Sequence, residues 1–112
     1  MADCSTQAAG TCLFNLRANQ PALTDLEYSC TLYDNNCSPI SDTEDVCNPG
    51  TALDSTLPYT VDVKSRSNTG NAIAANIAYG AGTYSRDNSG FTTDDCSNGL
   101  DGCSDLYLQF PY

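Results

Sequence analysis

The chain has no histidine and no tryptophan, and only four lysines and arginines among 112 residues. Without histidine, Ser-His-Asp and Cys-His catalysis are excluded in their usual forms, and so is every metal site that needs imidazole. So few bases leave no cationic stripe able to displace counterions from a phosphate backbone, so nucleic acid is not expected as a partner. Anionic membrane surfaces are disfavoured for the same reason. No apolar run approaches the length of a membrane helix, so membrane insertion is not expected either. A phosphate-cradling G-x-x-x-x-G-K-[ST] or G-x-G-x-x-G is absent, and "GAGTYS" is only a glycine-containing turn. No cofactor is implied.

The bulky apolar set is thin, with three Phe and one Met. A chain of this length can form one domain, residues 1–112, but its core needs help. Seven tyrosines add large rings whose hydroxyls require partners. Seven cysteines offer covalent ties. There is no C-x₂-C or C-x₄-C knuckle and no His to complete a Cys/His zinc site, so a disulfide framework is the better reading. Such frameworks persist in oxidising compartments, which makes the protein secreted and extracellular. Fourteen acids against four bases give a net charge of −10, which favours solubility outside the cell. "MADCSTQ" lacks the apolar core of a signal peptide, so the chain is expected to be a mature form with Met1 added.

Alternation of apolar and polar residues dominates the rest. "TCLFNLRANQ" puts Cys12, Phe14, Leu16 and Ala18 on one face, and "DLEYSCTLYDNN" does the same with Leu26, Tyr28, Cys30 and Leu32. These read as antiparallel neighbours. "YTVDVKSRS" turns Tyr59, Val61 and Val63 inward and Asp62, Lys64 and Arg66 outward. "SNTGN" reads as a hairpin turn. "AIAANIAYGAGTYS" suits a helix by its alanines, but Ile73, Ala75, Ile77 and Tyr79 at period two favour a strand. A last strand carries Leu106, Leu108 and Phe110 on one face with Tyr107 and Gln109 on the other. Residues 34–58, rich in Asp, Asn, Ser, Pro and Gly, read as a long acidic loop, and residues 1–10 as a flexible tail. Five or six strands and no helix imply an all-β, disulfide-stabilised antiparallel sandwich or barrel.

An odd cysteine count leaves one thiol over if three bridges form. Cys96 and Cys103 bracket "SNGLDG", which can turn tightly enough to join them. Cys30 is expected to pair with Cys37 or Cys47, holding the acidic loop to a strand. Cys12 is placed in the bridged set, and Cys4, in the tail, is the candidate for the unpaired residue, which would permit a disulfide-linked homodimer. The oxygen-rich set Asp94, Asp95, Asn98 and Asp101 is a weak calcium candidate, since EF-hand spacing and a closing Glu are absent. Asn36-Cys37-Ser38 is a glycosylation sequon with an unfavourable middle residue.

"CLFNLRANQPALTDLEYSC" and "CSNGLDGCSDLYLQFPY" resemble the Alternaria-type major allergen family, fungal secreted β-barrel proteins that include plant-defence elicitors. The likeness is confined to these two stretches, and the chain carries further cysteines. It implies a β-barrel fold, pairing of Cys30 with Cys47 and of Cys96 with Cys103, and a cysteine-linked dimer. On this reading the protein is a secreted, non-enzymatic effector or elicitor that engages a host protein or cell-surface component. Its working surface would be the 34–58 loop with exposed Tyr33, Tyr59 and Tyr107, since tyrosine gives large contact area at low entropic cost. The counter-reading makes these tyrosines ordinary core and sheet residues. One alternative is a secreted enzyme inhibitor or ligand-binding module with stapled loops. Another is a small hydrolase built on paired carboxylates.

Overall fold

Eight strands form in the computed structural model, which describes residues 10–22, 25–41, 43, 47–57, 59–69, 72–95 and 102–111. They are β1 (Thr11–Ala22), β2 (Asp25–Tyr33), β3 (Ala52–Leu53), β4 (Val61–Thr69), β5 (Ala72–Tyr79), β6 (Gly82–Ser85), β7 (Phe91–Asp95) and β8 (Gly102–Pro111). The first sheet has the order β2-β1-β8-β7 and the second β3-β4-β5-β6, and every pairing is antiparallel. The chain is therefore a small disulfide-stabilised β-sandwich, and no helix forms among the described residues.

Register follows from alternation. Phe14 lies opposite both Leu32 and Leu108, and Leu16 opposite Cys30 and Leu106, so the apolar rows of β2, β1 and β8 align on one face. The second sheet answers with Val61 opposite Tyr79 and Val63 opposite Ile77. These side chains are all buried and form one core between the sheets. A one-residue slip in any central strand would turn its whole apolar row to the wrong side. The segment 72–79 is a strand, with Ile73, Ala75, Ile77 and Tyr79 buried as period two requires.

Two turns locate the rest. Between Tyr79 and Gly82 the chain reverses in two residues, opened by Gly80 at φ +60°, where a hairpin turn wants glycine. Segment 34–57 is mostly irregular but tightly tied. Asp34 Oδ1 accepts from the backbone N–H groups of Asn36 and Ser38, each at 2.9 Å. Ile40 N donates to Leu32 O, so the chain runs back beside β2. Gly50 N donates to Val63 O, and Val63 N to Thr51 O, extending the ladder that β3 makes with β4. Among its described residues the acidic loop thus contains one short strand, and it is fixed at Asp34 and again over 50–53.

The expected interior of β4 needs a correction. Tyr59 lies before the strand and is 61% exposed, not inward. Arg66 does not face outward. A β-bulge between Val63 and Ser65 leaves Lys64 unpaired, so Ser65 pairs with Asn76 and Arg66 with buried Ala75. The extra residue shifts the alternation by one and aims Arg66 at the space between the sheets.

Candidate functional site

Cys30 and Cys47 form a disulfide inside the core, their Cα atoms 5.7 Å apart. Of the two partners open to Cys30, Cys47 is the one that forms. Cys37 and Cys103 are also disulfide-bonded, while Cys4 and Cys96 lie outside the described residues. Cys12, placed among the bridged residues, is a correction: it is free and 1% exposed. It projects from the inner face of β1 opposite Phe110, among apolar side chains. Burial, with the nearby charge of Asp34, pushes its thiol up to about 11, so it is protonated and unreactive at neutral pH.

Tyr107, expected on an exposed binding surface, is also corrected, being 4% exposed. It stands on the outer face of the first sheet, beside half-buried Tyr33 at 6.3 Å between ring centroids. That face is covered. Leu13, Asn15, Thr31 and Asp105 on it are buried as well. Part of the cover comes from Ser41 and Thr43: Leu32 N donates to Ser41 Oγ, and the Thr31 and Thr43 hydroxyls meet at 2.8 Å. At the centre of the face Arg17 donates from Nε and Nη2 to the two oxygens of Asp105, each at 2.9 Å, and Asn15 Nδ2 donates to Leu106 O. The hydrogen bond to Asp105 holds the Arg17 guanidinium above its ordinary pKa. Removal from water pushes the Tyr107 phenol up to about 12, and the Asp105 charge adds to this. Of the three tyrosines proposed for binding, only Tyr59 is exposed, and it packs edge-on against Tyr79 at 5.7 Å.

Only half of the calcium candidate falls within the described residues. Asp94 and Asp95 belong to β7, where Asp94 lies opposite Asp105 and Asp95 opposite Ser104. Asn98 and Asp101 lie outside the described residues, and no group of three possible ligands gathers among those described. Asn36 is exposed, in the Asp34 turn beside bridged Cys37.

A groove of about 420 Å³ opens where the second sheet ends, lined by β4, β5, the end of β6 and the start of β7. Ser65, Asn76 and Ser85 line it as one row across β4, β5 and β6, and Asn76 Nδ2 donates to Ser65 Oγ at 2.9 Å. Arg66 and Arg86 are in its wall. Arg66 rests 3.9 Å over the Tyr28 ring and donates to Cys47 O and Asn48 Oδ1, both at 2.7 Å. Arg86 lies 4.5 Å over Phe91 and donates to Ile73 O at 2.8 Å. Period two alone points Arg66 outward. The bulge that turns Arg66 inward carries no sequence mark beyond the polar run "VKSRSN".

No family model matches the chain, and no curated protein or solved structure matches it. The likeness to fungal secreted β-barrel proteins therefore stands on its two segments alone.

Proposed function

We propose that the protein is a secreted effector or elicitor that acts at a host or cell surface by binding, and so induces plant defence or cell death. One observation carries this reading. Segment 34–57, irregular over most of its described residues, is tied to the first sheet by the Cys30–Cys47 bridge and to the second by the Arg66 contacts to Cys47 and Asn48. An irregular segment held this firmly presents a fixed recognition surface, and loops on rigid scaffolds are where binding residues concentrate. Asn36, Ser38, Pro39, Asp54 and Thr56 are among its exposed positions, and Tyr59 extends it. Two described cysteines besides Cys30 and Cys47 are bridged, which fits an extracellular setting.

Leaf infiltration tests this, comparing native protein with reduced and alkylated protein and with the Pro39→Ala/Asp54→Ala variant. The native form is expected to provoke a response at micromolar dose, which the alkylated form loses and the variant weakens. A native protein that gives no response overturns the reading. The second reading, a ligand-binding module, is favoured by the polar groove at the end of the second sheet. A carboxylate-pair hydrolase gains no support there, since among the described residues the groove holds a single acid, Asp87.

A further inference from the structure

Asn36 is the sole asparagine in the chain with Ser or Thr two residues on, and no proline intervenes. The turn that carries this motif is closed by backbone groups and by Asp34. Asp34 N donates to Ser38 O, Cys37 N donates to Asp34 O, and the Asp34 carboxylate accepts from the N–H groups of Asn36 and Ser38. The side chains of Asn36 and Ser38 take no part in this closure. Both residues are exposed, and among the described residues neither side chain makes a hydrogen bond.

Other asparagines are committed to the fold. Asn15 Nδ2 donates to Leu106 O, Asn76 Nδ2 to Ser65 Oγ and Asn88 Nδ2 to Thr83 O, while Asn48 Oδ1 accepts from Arg66. Asn36 instead offers its amide to water, with a free hydroxyl two residues along. Its turn lies beyond the end of β2, the edge strand of the first sheet, so a bulky substituent there interrupts no pairing between strands.

Cys37 sets the order of events. It is bridged, and its backbone sits at φ +64°, in the left-handed region that side chains with a Cβ rarely adopt. Opening the turn to an enzyme means drawing Cys37 out of that conformation, which its bridge resists. Addition to Asn36 therefore precedes the bridging of Cys37, and the two compete while the chain is being exported.

We propose that Asn36 is a site of N-linked glycosylation whose occupancy is limited by the bridging of Cys37. The inference rests on the secreted reading, and it places sugar on the segment proposed above for recognition. Asn36 Nδ2 displaces the pyrophosphate of a lipid-linked oligosaccharide at C1 of its first sugar. An N–C bond forms, the C–O bond to phosphate breaks, the lipid pyrophosphate leaves with the electron pair, and a base of the transferase takes the Nδ2 proton.

The test secretes the full chain from yeast behind a cleavable leader and compares intact mass before and after PNGase F. Part of the population is expected to lose the mass of one glycan, with Asn36 converted to an aspartate in the peptide map. Ser38→Thr, which keeps the hydroxyl in the form preferred by the transferase, should raise the glycosylated share. Asn36→Gln should abolish the shift and leave the far-UV circular dichroism unchanged. A shift that persists in Asn36→Gln overturns the inference. So does secreted wild-type and Ser38→Thr protein that loses no mass on PNGase F treatment. Either failure leaves the effector reading standing, because leaf infiltration with unglycosylated protein tests that reading separately.

Discussion

The two sheets are built by the same alternation but sit in different surroundings. Outward residues of the second sheet, such as Lys64, Ser67, Asn76 and Thr83, are exposed. Those of the first sheet include Leu13 at 1% exposure and Asp105 at 0%, covered as fully as the core. One sheet thus divides apolar from wet. The other divides an apolar layer from a buried polar layer, which must satisfy its own hydrogen bonds. Arg17, Asn15 and Asp105 do so. A polar side chain in the first sheet is therefore part of the stability of the fold, and one in the second sheet is available for a ligand.

The largest effect should come from breaking the central ion pair of the covered face. Arg17→Met strands a carboxylate that has no exposure, and loss of one partner from a buried pair costs about 3–5 kcal/mol. Arg17 keeps 45% of its side chain in water, so the reverse change, Asp105→Leu, leaves a charge that can hydrate and should cost less. The double variant Arg17→Met/Asp105→Leu should recover much of the loss, because two apolar groups replace the pair. Urea denaturation of the three variants measures this ordering. Equal losses in both single variants would mean that the covering of Asp105 is of no energetic consequence. Next in size is the core bridge. Replacing Cys30 and Cys47 together by Ala releases a loop with a sequence separation of 17 and should cost about 3 kcal/mol.

Alkaline pH separates the two faces of the first sheet itself. Cys12 on the inner face titrates at about 11 folded, against 9.0 for an ordinary thiol, and Tyr107 on the outer face at about 12 against 10.0. In both cases the unfolded chain releases its proton first. Stability is therefore complete below pH 9 and falls as pH rises, by up to about 1.4 kcal/mol per pH unit for each group. In Cys12→Ala the fall should begin near pH 10 instead of pH 9, and in Tyr107→Phe the part above pH 10 should diminish. Denaturation midpoints at a series of pH values from 8 to 11.5 give both. At neutral pH, Cys12 should resist iodoacetamide until the protein is unfolded, as peptide mapping would show.

What was legible in the sequence follows the same division. Period-two alternation identifies the inner rows of β1, β5 and β8 and the sandwich class, because a sheet with one dry face writes that face into the chain. It also favours a strand over a helix at 72–79. It says nothing of whether the opposite face is dry, which is why Tyr107 reads as exposed. It cannot see a bulge, since Lys64 resembles any other outward residue, and so Arg66 reads as facing outward. "GTYS" and "FTTDD" are too short and too polar to declare strands, and they pair as β6 and β7 only because longer neighbours offer edges. Cysteine spacing leaves Cys37 and Cys47 both open to Cys30. The topology, with Cys47 folded into the core, decides between them.

The smallest expected difference is also the cleanest contrast, because the same substitution can be made on each sheet. Thr31 and Thr83 both project outward from strands, one buried and the other exposed. Valine has nearly the shape of threonine and an equal liking for strands, so Thr→Val isolates the hydroxyl. At position 83 that hydroxyl faces water, and Thr83→Val should change stability by less than about 0.5 kcal/mol. At position 31 it bonds the hydroxyl of Thr43, part of the segment that folds over the first sheet. Thr31→Val should cost about 1 kcal/mol, and it should speed amide exchange at Leu32, whose N–H bonds Ser41 in the same segment. Equal stability of the two variants, with exchange at Leu32 unchanged, would show that the outer faces of both sheets are equally open to solvent.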